Sequence, residues 1–230
     1  MPHASKTFAV STRLKIVCWV LLVVGVVGLA AATYLAVTYQ TKPLPYEQVV
    51  FHAINGLSDG LKNPVIWITF FGSVWAFLAI GLVATFTKRY RLAWWLSVSV
   101  ALVYGLVFLL KNFVAGRSRP TGLLQEVTVR ANESGFGFPS GHTAIATILA
   151  LTLFFYLPKG FRWAIVPVWI GLVGLSRVYL GVHSPLDVAG GVLVGVVVFA
   201  FLRILPRRVR CWVKLAGAKN DHQEQGKTVV

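Results

Sequence analysis

The chain has 230 residues, 57% of them hydrophobic, and a mean hydropathy of +0.72. Soluble domains are nearer about 45–50% apolar, so a chain of this composition has too little polar surface to cover itself in water. Its charge is +15, from 22 Lys+Arg against 7 Asp+Glu, and it falls in short runs between apolar stretches. That pattern suits anchoring to anionic leaflets and an anionic substrate. No basic face or recognition motif points to nucleic acid.

Six apolar stretches approach the roughly 20 residues that a spanning helix needs: 16–37, 64–86, 92–110, 142–157, 163–180 and 185–205. They predict an all-α fold, an integral membrane bundle of six transmembrane helices in one domain over 1–210. A polar tail over 211–230 reads as cytoplasmic. The first stretch follows Lys6, Arg13 and Lys15, and 30–32 resembles a signal cleavage site, but the run is long for a signal and reads as a retained helix. Residues 46–58 read as a short helix on the outer surface. Gly191 and Gly195 read as a close packing face in the last span. Cys18 and Cys211 form no disulfide framework or metal site.

Orientation follows from the positive residues. With six spans and the N-terminus inside, the inner segments hold Lys6, Arg13, Lys15, Lys88, Arg89, Arg91, Lys159, Arg162 and the basic C-terminal residues Arg203, Arg207, Arg208, Arg210, Lys214, Lys219 and Lys227. The outer segments hold fewer: Lys42, Lys62, Lys111, Arg117, Arg119, Arg130 and Arg177. Both termini therefore read as cytoplasmic, in a multi-pass cell-membrane protein.

Three polar clusters interrupt the apolar chain, all on the predicted outer side. They are Lys111 with Arg117, Arg119 and Pro120; Pro139-Ser140-Gly141-His142; and Ser176-Arg177 with His183 and Asp187. Lys111, Arg119 and Arg177 offer fixed positive charge and forked donors, which suit the spread charge of a phosphoryl group in transfer. Ser140 and Gly141 stand where a helix begins, so backbone N–H groups and the helix dipole add to an anion site. Asp187, four residues after His183, can hold one imidazole tautomer and free the other nitrogen to attack. His142 is then available as general acid. Singly, such residues are ordinary interfacial anchors, turns and helix caps. Jointly, they share one bilayer face and one chemical purpose.

These residues resemble the type 2 phosphatidic acid phosphatase superfamily, which includes lipid phosphate phosphatases, bacterial undecaprenyl pyrophosphate phosphatases and, more distantly, soluble vanadium haloperoxidases. The resemblance covers about residues 47–205. Pro139-Ser140-Gly141-His142 matches the second family motif, and Ser176-Arg177 with His183 and Asp187 matches the third. The first motif is Lys, six residues, Arg-Pro; here seven residues separate Lys111 from Arg119-Pro120. In a regular helix that extra residue turns Lys111 by about 100°, unless a π-bulge absorbs it. The resemblance implies Lys111, Arg119, Ser140, Gly141 and Arg177 as phosphate ligands. It implies His183 as a nucleophile passing through a phosphohistidine, Asp187 as its orienter and His142 as general acid. It implies no metal or cofactor. The partners expected are a lipid phosphate substrate and membrane lipids.

Polyprenyl diphosphate, phosphatidylglycerol phosphate, phosphatidate and lipid A phosphate share the group that these motifs read. A phosphotransferase would differ only in the acceptor that attacks the phosphohistidine. A non-catalytic lipid carrier would have no use for the His142, His183 and Asp187 set. Asn132-Glu133-Ser134 is a glycosylation sequon of a kind that arises often by chance.

Overall fold

A computed structural model describes residues 12–158 and 160–205. Among these residues the regular structure is entirely helical: α1 (Thr12–Thr38), α2 (Pro45–Asn55), α3 (Lys62–Phe71), α4 (Val74–Phe86), α5 (Tyr90–Leu109), α6 (Pro120–Leu123), α7 (Gly141–Leu153), α8 (Arg162–Tyr179) and α9 (Pro185–Ile204). The tail over 211–230, Cys211, the charges Lys6, Lys159, Arg207, Arg208, Arg210, Lys214, Lys219 and Lys227, and the Arg13 side chain all lie outside what is described.

Helix α9 is the hub, packed against α1, α7, α5, α8 and α2. The main core joins Leu29 of α1, Phe77 of α4, Val103 and Val107 of α5, Ile148 of α7 and Val198 of α9. Between apolar helices in a bilayer the hydrophobic drive is weak, and close van der Waals packing carries association. Gly191 and Gly195 supply that closeness. A Cβ at Gly191 would stand 2.4 Å from the Ser140 carbonyl oxygen, and one at Gly195 would stand 2.5 Å from Cβ of Thr147. The packing face expected from the sequence is therefore present, and it presses α9 against the start of α7.

Three helical runs among the described residues are long and apolar enough to cross a membrane: Leu14–Thr38, Tyr90–Leu123 and Pro185–Ile204. A fourth run is broken, with Asp59–Phe71 and Val74–Phe86 meeting at 47°. The sequence predicts one unbroken span over 64–86. The break comes because Gly72 ends α3 and the Ser73 hydroxyl accepts from Trp75 N at 3.2 Å, capping α4. Helix α7 has 13 residues, or roughly 20 Å at 1.5 Å per residue, against a hydrocarbon core of about 30 Å. Helices thus form at all six predicted stretches, but fewer than six meet the requirement for a span. The expected short helix over 46–58 is α2, which ends at Asn55.

Helix α5 does not stop at Leu109. It widens into a π-helix over Leu110–Ala115, which ends at Gly116 in the left-handed conformation (φ 55°). A π turn takes in more residues than an α turn. The π-helix lies at the seven-residue interval between Lys111 and Arg119 that carries the extra residue.

Candidate active site

Three chain segments meet at the end of α9 that begins with Pro185. The first follows the π-helix. Gly116 turns the chain, Ser118 N donates to Gln40 O at 2.9 Å, and Arg119 is extended before Pro120 opens α6. The second is the start of α7. Ser140 is fully buried there, its N–H donates to Asp187 O at 2.9 Å, and its hydroxyl accepts from Thr143 Oγ1 at 3.0 Å. The opening N–H groups of a helix have no partner within it, so this terminus presents donors at Gly141 and His142. The third is the end of α8 with the turn into α9. Arg177 is buried, Gly181 turns the chain at φ 75°, and His183 is buried beside Asp187.

These segments converge on one carboxylate. Glu133 Oε2 accepts from Arg119 Nη1 at 3.1 Å, and Oε1 accepts from Arg177 Nη2. His183 Nε2 stands 3.5 Å from Oε2, and His142 Nδ1 stands 3.8 Å from Oε1. Burial pushes the Glu133 carboxyl up, but His183 and the positive charge of Arg177 outweigh burial and hold it well below the usual carboxylate range. The rest of Arg119 is fixed by carbonyls: Nε donates to Gly135 O at 3.0 Å, Nη2 to Ser134 O at 2.9 Å and Nη1 to Val182 O at 2.8 Å.

Behind His183 lies a second, solvent-free set of charges. His183 Nδ1 faces Asp187 Oδ2 at 3.5 Å, longer than a formed hydrogen bond, and it has no other partner among the described residues. Asp187 Oδ2 accepts from Ser184 N at 2.9 Å, and Oδ1 accepts from Arg117 Nη1 at 3.2 Å. Arg117 also donates through Nη2 to Glu47 Oε2 at 2.6 Å and through Nη1 to the Ser184 hydroxyl at 2.6 Å. Glu47 in turn accepts from Leu186 N at 3.0 Å and Leu44 N at 2.9 Å, tying α2 to the first turn of α9.

A cavity of about 560 Å³ opens beside Glu133. Lys111, Arg119, His142 and His183 line its polar side, and Trp75 and Phe108 line an apolar side between α4 and α5. Its donors suit a compact anion, and its apolar wall suits a hydrocarbon chain.

A family model described as the PAP2 superfamily matches residues 92–210, just over half of the chain. The chain belongs to the PAP2 superfamily. Among PAP2 relatives, an undecaprenyl-diphosphatase of Sulfolobus acidocaldarius is 28% identical over 158 residues, covering 67% of this chain and 70% of that protein. The crystal structure of LpxE from Aquifex aeolicus is 26% identical with a TM-score of 0.62, over 70% of this chain and 96% of that one. A PAP2-type phosphatidylglycerolphosphate phosphatase of Bacillus subtilis is 25% identical with a TM-score of 0.60, over 81% of this chain and 94% of that one. With its apolar helices, this PAP2 chain is a membrane-associated phosphatase.

The structure gathers the residues singled out in the sequence. Arg119, Arg177, His142 and His183 surround one anion, Lys111 and Gly141 line the adjoining cavity, and Asp187 stands behind His183. Ser140 is close but sealed, with its hydroxyl held by Thr143. Sequence reasoning missed Glu133, Glu47 and the inward role of Arg117. One signal was available: with only 7 Asp+Glu in the chain, any acid on the side of the basic clusters is a candidate partner for them.

Proposed function

We propose that this PAP2 protein is a membrane lipid phosphatase that hydrolyses a terminal phosphate or diphosphate of a lipid through a phosphohistidine at His183. The observation that carries the reading is the convergence of Arg119, Arg177, His142 and His183 on the two oxygens of Glu133. Groups that hold a carboxylate in this way can hold the oxygens of a phosphoryl group.

With phosphate in that seat, Arg119, Arg177 and Lys111 bind its oxygens and offset the charge that spreads over them in transfer. The Gly141 N–H at the start of α7 adds a donor, and Ser140 shapes the turn that presents it. In the reacting complex Asp187 closes from 3.5 Å to accept from Nδ1–H of His183, which leaves the Nε2 lone pair facing phosphorus. Nε2 forms a bond to phosphorus as the bond to the leaving oxygen breaks, and His142 gives that oxygen its proton. Water then attacks phosphorus, His142 takes the water proton, the P–N bond breaks and orthophosphate leaves. The positive charge comes from side chains, so the step runs without a metal.

The substrate class is a lipid with a terminal phosphate: a polyprenyl diphosphate, phosphatidylglycerol phosphate or phosphatidate. The Trp75 and Phe108 wall supports a lipid, and two relatives bear names from this class. In this reading six spans cross the membrane, with α7 and α8 completing the set inside the bundle. Both termini are cytoplasmic and the site faces outward, as the excess of inner Lys and Arg favours. A cysteine replacing exposed Gln125, in a Cys211→Ser background, then reacts with an impermeant thiol reagent on intact cells; labelling only after lysis reverses the topology.

The test of function is orthophosphate release by the purified protein from a panel of these lipids in EDTA. Release from at least one lipid, lost in His183→Ala, is expected. Release that requires added Mg²⁺ or Zn²⁺ contradicts the metal-free chemistry, and full release by His183→Ala contradicts the nucleophile.

A further inference from the structure

Glu133 has no part in the reaction derived above, yet its carboxylate fills the centre of the seat. Other contacts anchor the loop on both sides of that carboxylate. Thr128 is fixed by Asn55, through N–H to Oδ1 at 2.9 Å and O from Nδ2 at 2.9 Å. Arg130 donates to Asp59 Oδ1 at 2.7 Å and to the Asn55 and Tyr179 carbonyls at 2.8 Å. Beyond Glu133, Gly137 N donates to Arg117 O at 2.7 Å. Between those anchors the short segment 131–136 contains Gly135, which turns the chain at φ 77° in open space. The carboxylate can therefore leave the seat while both ends of the loop stay fixed.

Resting on the anion-seat reading above, we propose that Glu133 is a specificity-determining residue. It is an internal anion that phosphodiester headgroups of the surrounding bilayer fail to displace and that a terminal phosphate displaces. The cavity opens past Trp75 and Phe108, both exposed, so bulk lipid headgroups have access to it. A phosphodiester carries one negative charge and two non-bridging oxygens, the same as a carboxylate. Exchanging one for the other gains no charge and no acceptor, and it gives up the ties from Arg119 to Ser134 and Gly135 that hold the segment closed. A terminal phosphate carries about −1.5 to −2 at neutral pH and three strong acceptor oxygens. The structure holds donors for the surplus. Arg177 Nε is buried without a partner among the described residues, and Lys111 lines the cavity. An unmet buried donor favours the ligand that satisfies it. Discrimination here comes from a competitor built into the site as well as from contacts to the favoured ligand.

The experiment is calorimetric binding of orthovanadate to the full-length protein in detergent micelles, for wild type and Glu133→Gln, with and without added phosphatidylglycerol as the phosphodiester. Glu133→Gln is expected to bind orthovanadate at least fivefold more tightly than wild type. Phosphatidylglycerol is expected to weaken binding by Glu133→Gln several-fold and to leave wild type unchanged. Glu133→Asp keeps the charge but shortens its reach, and it shifts binding in the same direction if the Gln variant does not fold. A Glu133 that merely braces the loop changes thermal stability and neither of these readouts. Equal or weaker binding by both variants, or equal competition by phosphatidylglycerol in variant and wild type, overturns the proposal while the seat stands. No binding by any of the proteins overturns the seat, and this proposal with it.

Discussion

Arg117 Nη1 donates to Asp187 Oδ1 at 3.2 Å, and solvent reaches neither side chain. The same guanidinium holds both oxygens of Glu47. One cation thus serves two carboxylates, and the surplus negative charge faces His183 Nδ1. Removing one partner of a buried ion pair strands the other, at a cost of about 3–5 kcal/mol. Arg117→Ala is therefore expected to lower the thermal midpoint sharply. Arg117→Lys keeps the charge but loses the planar fork that reaches Glu47 and Asp187 together. It is expected to fold and to lose at least tenfold in kcat with little change in KM, because Asp187 no longer orients His183. A kcat within twofold of wild type in Arg117→Lys would show that Asp187 needs no such support.

Lys111 stands in the first turn of the π-helix and lines the cavity. A Lys is a flexible point charge and tolerates loose geometry. If it reaches the phosphate, Lys111→Ala lowers kcat/KM by at least tenfold, about 1.4 kcal/mol of transition-state stabilisation. Steady-state kinetics on any turned-over lipid phosphate decides this. A near-normal value makes Lys111 an interfacial anchor and leaves the grip to Arg119 and Arg177.

The charges around Glu133 predict a pH signature in stability. Its carboxyl is held below the ordinary value of 4.5. A group with a depressed folded pKa contributes stability that is complete above its unfolded value and is lost as pH falls through the folded one. The difference in thermal midpoint between wild type and Glu133→Gln is therefore expected to be flat from about pH 5 to 8. It narrows as the pH falls below 4.5. Thermal melts across that range check the sign. A difference that grows on acidification contradicts the pairing of Glu133 with Arg119 and Arg177.

Much of the candidate site was legible in the sequence because its parts are contiguous runs at helix ends. Pro139-Ser140-Gly141-His142 opens α7, and Arg177, His183 and Asp187 bracket the turn from α8 to α9. The extra residue after Lys111 pointed to a π-bulge, and a π-helix lies there. Long-range partners were not legible. Glu47 and Arg117 lie 70 positions apart, as do Arg117 and Asp187, and no local period links them. Glu133 lies in a loop whose path is set by Asn55 and Arg130, contacts that leave no spacing signature. The break at Gly72-Ser73 was readable in principle, since a glycine stop followed by a serine cap marks two helices. The apolarity of the whole 64–86 stretch hid it.

The central claim is that His183 takes the phosphoryl group. It is tested most directly by rapid alkaline quench of the purified protein with a lipid whose terminal phosphate carries ³²P, followed by separation of protein from lipid. The account predicts label on the wild-type protein that survives base and is lost in mild acid, as a phosphohistidine requires, and no label on His183→Ala. Labelling of His183→Ala equal to wild type, or full turnover by that variant, would contradict it.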